Sequence, residues 1–194
     1  MQINDGTGRG YSAKVSENGR VYVDTDDGAL AAARAGTLYS VSTYTSAKPT
    51  LTITSTGGVL LYLNNAVGSR KSLVIDSIIV GVSATMECRV VVGHIEGSLS
   101  DNTALTVSST NTAYQTGSSA NADANVWDEA SHGIGGLTGG TSSVSTILGA
   151  GSTEMVPAGK YIVAPGGNIA VAMKLAGEAT ATIRFYEVDD HTYI

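Results

Sequence analysis

Cysteine occurs once in the 194 residues, proline three times, and phenylalanine and tryptophan once each. The lone Cys88 excludes an internal disulfide framework and any metal site built from several thiolates. Lying on the apolar side of an alternating stretch, it reads as a small core residue rather than a reactive thiol. Charge is scarce too. Only 14% of residues are charged, and 11 Lys and Arg against 17 Asp and Glu leave a net −6. Binding a phosphate backbone needs clustered cations that release counterions, and here they are scattered, so nucleic acid is not expected as a partner. No apolar run approaches the roughly 18–20 residues of a membrane span, so no membrane contact is expected either. The opening MQINDGTGRG lacks the charged-then-apolar layout of a signal peptide, which predicts a cytoplasmic product that leaves only by lysis or within an assembly.

What the chain does have is 42% hydrophobic residues, 24 glycines and 43 serines and threonines. Its length suits one domain with a core large enough to need no staples. Solubility then rests on hydroxyls and turns more than on charge, a composition shared by extracellular β proteins and virion proteins.

The strongest pattern runs from Leu73 to Val92. Leu73 and Ile75 share one face, and Ile78, Val80 and Val82 resume the alternation after a one-residue slip at Asp76–Ser77. Such a slip is what a β-bulge produces. Met86, Cys88, Val90 and Val92 alternate with Glu87 and Arg89 beyond a reversal at Ser83–Thr85. We read the two arms as a hairpin at the centre of the core, each buried large side chain contributing roughly 1.5–3 kcal/mol. Tyr39, Val41 and Thr43 alternate with Leu38, Ser40 and Ser42. Leu51 and Ile53 predict a strand, as do Val59, Leu61 and Leu63 on one face. Tyr161 and Val163 predict a shorter one. Near the end Ile169, Val171, Met173 and Leu175 share a face. The chain then returns with Ala181, Ile183 and Phe185 inward and Thr180, Thr182, Arg184 and Tyr186 outward. One short helix is expected over Asp26–Ala35, capped by Asp26 or Asp27, stopped by Gly36, and carrying a stripe of Leu30, Ala33 and Arg34. Eight to ten strands with glycine-rich turns predict an all-β, antiparallel sandwich of jelly-roll type.

Two stretches stand apart. In residues 1–36, Asp5-Gly6-Thr7-Gly8-Arg9-Gly10 places three glycines in five positions, implying special backbone angles or close approach to another surface. Asn18-Gly19, between Tyr11–Val15 and Arg20–Val23, predicts a hairpin arm over 11–24. Residues 37–194 form the sandwich, with a long Ser/Thr/Gly-rich insertion at about 108–143 that holds Tyr114, Trp127 and Asp128. Aromatics in a polar loop anchor a partner surface or fold back over an open end of the sandwich, and both readings stand.

Catalytic patterns are missing. Gly6, Gly8 and Gly10 follow no strand and open no helix, so they are not a dinucleotide fingerprint. His94, His132 and His191 lack metal-ligand spacing, and Ser131-His132 are neighbours that point apart. Asp123, Asn125 and Asp128 miss the glycine and the glutamate of a calcium loop, leaving at most a loose surface site. Asp24, Asp26 and Asp27 suit a cap and a solvated turn. No carboxylate pair stands out as an acid–base couple, so neither an enzyme nor a cofactor is expected.

The segment Ile3-x-Asp5-Gly6-Thr7-Gly8-x-Gly10-Tyr11-x-Ala13-x-Val15 resembles the N-terminal signature of a group of tailed-bacteriophage structural proteins. A helix ending at Gly36 before Tyr39-Ser40-Val41 is similar to that group. So are Leu60-Leu61-Tyr62-Leu63-Asn64 and the Pro165-Gly166-Gly167 turn before the final strands. The resemblance implies a capsid decoration (cement) protein or another virion surface component, with a jelly-roll fold and homotrimeric assembly. Its partner would be the major capsid protein, contacted through Asp5, Gly6, Thr7, Gly8, Arg9, Gly10, Tyr11 and Tyr22. The rival reading is a tail or head-fibre component that binds a host-surface glycan through Tyr114, Trp127 and Asp128. A cell-wall hydrolase comes last, for want of an acid–base pair.

Overall fold

The computed structural model describes residues 3–4, 12–13, 28–44, 50–53, 57–93, 102–110, 122–127, 141–155 and 161–189. They form an all-β protein of antiparallel sheets with one short helix. One sheet contains β3 (Leu38–Ser42), β4 (Leu51–Ile53), β6 (Lys71–Val82), β9 (Ser108–Ser109), β12 (Gly151–Met155), β13 (Ile162–Val163) and β15 (Gly177–Asp189). Its order is β12-β6-β15-β3-β9, with β13 also on β6 and β4 also on β15. The second sheet contains β5 (Gly58–Asn65), β7 (Met86–Gly93), β8 (Asn102–Leu105), β10 (Ala122–Trp127), β11 (Thr141–Leu148) and β14 (Asn168–Lys174), in the order β11-β7-β14-β5-β10-β8. Apart from both, β1 (Ile3–Asn4) pairs with β2 (Ser12–Ala13).

The Leu73–Val92 stretch is two strands, but they are not a hairpin. β6 pairs with β15 and β12 in the first sheet, while β7 pairs with β14 and β11 in the second. Ser83–Thr85 therefore carries the chain across the sandwich. β14 and β15 make the same crossing beside it, so two strands cross together and pair on both sides. Between the sheets lie Leu61, Leu63, Leu73, Ile75, Ile78, Val80, Met86, Cys88, Ile169, Val171, Met173, Ile183 and Phe185, each 0% exposed. Tyr39 and Phe185, opposite one another across β3 and β15, pack their rings 5.6 Å apart.

Of three register shifts among the described strands, one falls at Ser143 on β11 and two set the phase of this core. Opposite β15, Ile75 faces Phe185 and Ser77 faces Arg184, leaving Asp76 as the extra residue expected from the slip. The second bulge is on β5. Val171 pairs with Leu61 and Ala172 with Val59, leaving Leu60 over. Leu60 joins Leu61 and Leu63 in the core, and Val59 turns to the opposite face with Val91, Ala170 and Ala172. The shared face expected for Val59, Leu61 and Leu63 is thus broken.

The helix α1 spans Gly28–Ala35 and ends as its sequence predicts. Gly36 takes φ +76°, its N–H reaches Ala33 O at 3.1 Å, and Thr37 N–H reaches Ala32 O at 2.8 Å. These two bonds satisfy carbonyls that the last turn leaves open. The docked stripe is Ala29 and Ala32, while Leu30 stays 46% exposed, contrary to the expected stripe. A Cβ at Gly28 would stand 2.9 Å from Tyr186 Oη, so the start of the helix lies against the end of that side chain.

Candidate functional site

The predicted partner segment, from Asp5 to Tyr11, is bracketed by a strand pair. Ile3 lies opposite Ala13 and Asn4 opposite Ser12, on either side of it in sequence. The pairing runs back to Ile3–Asn4, and the return strand expected at Arg20–Val23 lies outside the described residues. Asp5, Gly6, Thr7, Gly8, Arg9, Gly10, Tyr11, Tyr22, Tyr114 and Asp128 also lie outside them. Trp127 is placed by its backbone as the last residue of β10, opposite Asn102. The 108–143 passage is therefore not one continuous loop: it begins with β9 and inserts β10 between β5 and β8. Small and polar residues such as Ala122, Asp123 and Ala124 carry no hydrophobic alternation, so periodicity could not find that strand.

The sandwich has two unlike ends. At the first, Ser83 and Glu178 lock the two crossings together, and Thr50 Oγ1 donates to Glu178 Oε2 at 3.2 Å. The second is polar and is organised by Asn65, which is 0% exposed. Its Nδ2 donates to Lys71 O at 2.8 Å and to Val163 O at 3.0 Å. Its backbone N–H reaches Gly167 O, and its carbonyl accepts from Gly166 N–H. Asn65 thereby ties β5 to β6, β13 and the Pro165-Gly166-Gly167 turn. Nearby, Asn168 Nδ2 donates to Tyr62 Oη at 2.7 Å. Burial raises the Tyr62 hydroxyl above its ordinary value, and the Asn168 bond partly offsets that. An open cavity of about 200 Å³ adjoins this end, lined by Val92, Tyr161, Val163, Gly167 and Asn168 among others. Sequence reasoning passed over Asn65; its only signal was a pair of asparagines ending an apolar strand.

Lys71 and Arg89 each make an ion pair. Lys71 Nζ meets Glu187 Oε2 at 3.0 Å, with the Glu187 side chain only 2% exposed. The hydrogen bond to Glu187, with the charges of Glu187 and Asp189, holds the Lys71 ammonium above its usual range. Arg89 binds Glu87 at 2.6 Å on the outer face of the second sheet. Burial pushes the Cys88 thiol up to about 12, which leaves it protonated and inert near neutrality. Among the described residues no group of three or more His, Cys, Asp or Glu could hold a metal ion. No described helix is long and apolar enough to cross a membrane. What the geometry offers is a body of two sheets, with the two-stranded β1–β2 pairing ahead of the helix in sequence. No family model, no curated protein and no solved structure matches the chain.

Proposed function

We propose that this chain is a non-enzymatic bacteriophage virion protein: a capsid decoration (cement) protein that binds the assembled head shell as a homotrimer and stabilises it. The resemblance of Ile3–Val15, Tyr39-Ser40-Val41, Leu60–Asn64 and Pro165-Gly166-Gly167 to phage structural proteins is the starting point. The order β12-β6-β15-β3 against β11-β7-β14-β5, with paired strands folded across both sheets, supports the jelly-roll reading.

The observation that carries the proposal is the Ile3–Ala13 pairing. It brackets in sequence the glycine-rich segment 5–11, whose glycines would let a backbone approach a partner closely. Arg9 and Tyr11 supply a planar donor and an amphipathic ring to such a contact. A protein that binds only the assembled shell stabilises it by mass action, without any reaction. The major capsid protein is the partner, and the virion surface is the location after assembly in the host cytoplasm.

The test is cosedimentation with phage heads that lack the protein. The full chain is expected to bind, and Arg9→Ala/Tyr11→Ala is expected to lose most of that binding while keeping its melting temperature. Undiminished binding by that variant would remove the role given to segment 5–11.

A further inference from the structure

The two sheets end differently on their two sides. On one side the terminal strands are β8, of four residues, and β9, of two. Very short edge strands are a common way to leave little backbone for another chain to pair with. On the other side the terminal strands among the described residues are β11, of eight residues, and β12, of five, joined through Gly149-Ala150. Ser143 Oγ donates to Tyr161 Oη at 2.8 Å, so that end of β11 is tied back to its own chain. Beyond it the side opens. Ser145, Ile147 and every residue from Gly149 to Glu154 are exposed, with Ile147 at 61%. Thr153 is exposed although it stands opposite Val80, which is fully buried. On the core-facing side of β12, Thr153 is thus exposed, while Met155 packs against the core.

Charge completes the contrast. From Thr141 to Thr153 there is no charged residue, in a chain whose net charge is −6. Two copies of an acidic chain repel except where a neutral face meets a neutral face, because like charges directly across a strand pair are destabilising. The usual protections of a long edge, lysine and proline, are missing from this run.

We propose that this side is the contact between copies of the chain, with β11 of one copy pairing along β12 of the next. The partner is a second copy because β11 and β12 carry a single charge between them, Glu154, and offer extended backbone. The pairing joins β11 to β12 because each copy presents one edge from each sheet, side by side. A β11–β11 pair about a two-fold axis would leave both β12 edges open, whereas β11-to-β12 contacts close into a ring and consume every such edge. That the ring has three members rests on the function proposed above; the choice of edges does not.

The experiment is light scattering on the full chain in solution, with two variants: Ser145→Lys/Ile147→Lys in β11 and Ser152→Lys/Thr153→Lys in β12. The wild type is expected at three chain masses and each variant alone at one, with circular dichroism unchanged. Mixed in equal amounts, the variants retain one competent junction and are expected at two chain masses. A wild type at one chain mass overturns the proposal. So does an oligomer that neither variant disturbs, or one that only the β11 variant dissolves. A monomer that binds heads and loses that binding with the β11 variant assigns the edge to the capsid protein, overturning this inference while leaving the proposed function standing. Should a lysine variant fail to fold, Ile147→Cys/Thr153→Cys replaces it. Oxidation is then expected to give a covalent three-chain species, and only two-chain species from Ile147→Cys alone would contradict the pairing. Cys88, 0% exposed, does not interfere.

Discussion

Ser83 and Glu178 hold one another from both sides: Ser83 N–H donates to Glu178 O at 2.9 Å, and Glu178 N–H donates to Ser83 Oγ at 2.9 Å. They sit where β6 passes to β7 and β14 passes to β15, so this reciprocal pair joins the two crossings that fold one sheet over the other. Ser83→Ala removes the acceptor for Glu178 N–H at an exposed site, where water replaces part of the loss. The expected cost is about 0.5–1 kcal/mol, a fall of about 1–4 °C in melting temperature for a chain of this size. Calorimetry reads it.

Asn65 is the larger liability at the opposite end. Asn65→Ala removes the side-chain donor to the Val163 carbonyl, at about 1–3 kcal/mol for a group left unsatisfied, and one of two side-chain donors to the Lys71 carbonyl, which keeps Ser69 Oγ. Denaturant titration is expected to show a midpoint shift several times that of Ser83→Ala. An equal shift would mean that Asn65 does not tie these segments together.

Cys88 is expected to be silent in the folded protein. It is 0% exposed and its thiol is pushed up to about 12, so a thiol-specific chromogenic reagent at mildly alkaline pH should find no reactive group until the chain is unfolded. One thiol per chain should then appear. Fast labelling of the native protein would mean that the β7 crossing opens readily.

The Lys71–Glu187 pair gives stability a dependence on alkaline pH. Lys71 is held above its ordinary 10.5 in the folded state, chiefly by its bond to Glu187. Its contribution is therefore complete below that ordinary value and is lost as pH rises through the raised one. The stability advantage of the wild type over Lys71→Met should be constant near neutrality and shrink at strongly alkaline pH. Because the Lys71 side chain is 40% exposed, the advantage itself should be small. An advantage that grows with alkalinity would have the wrong sign.

How much of this was legible depends on where polar residues interrupt apolar ones. The bulge at Asp76 could be read because two polar residues break an apolar run and reveal the change of phase. The bulge at Leu60 could not, since Val59, Leu60 and Leu61 are all apolar and a uniform run carries no phase. Alternation told which face of each arm of Leu73–Val92 is buried, but a buried face does not name a hydrogen-bonded neighbour. The arms proved to belong to opposite sheets. Their turn, Ser83-Ala84-Thr85, lacks the Asn-Gly type of signal that marks a tight hairpin. On α1, Gly36 was readable from its position after an alanine-rich run, whereas the docked stripe depended on how closely Tyr186 approaches, which no local pattern encodes. The candidate partner segment was visible only as a density of glycines and a resemblance. The Ile3–Ala13 pairing that brackets it is a matter of register, which such short strands do not fix by pattern.

The account stands most directly on whether the protein belongs to a phage head. Under the proposed function, purified phage heads counted by quantitative mass spectrometry should carry this chain in a fixed ratio to shell subunits and at three copies per occupied site. Heads free of the chain, or heads in which it appears only in trace amounts unrelated to the number of shell subunits, would contradict the reading of a cement protein.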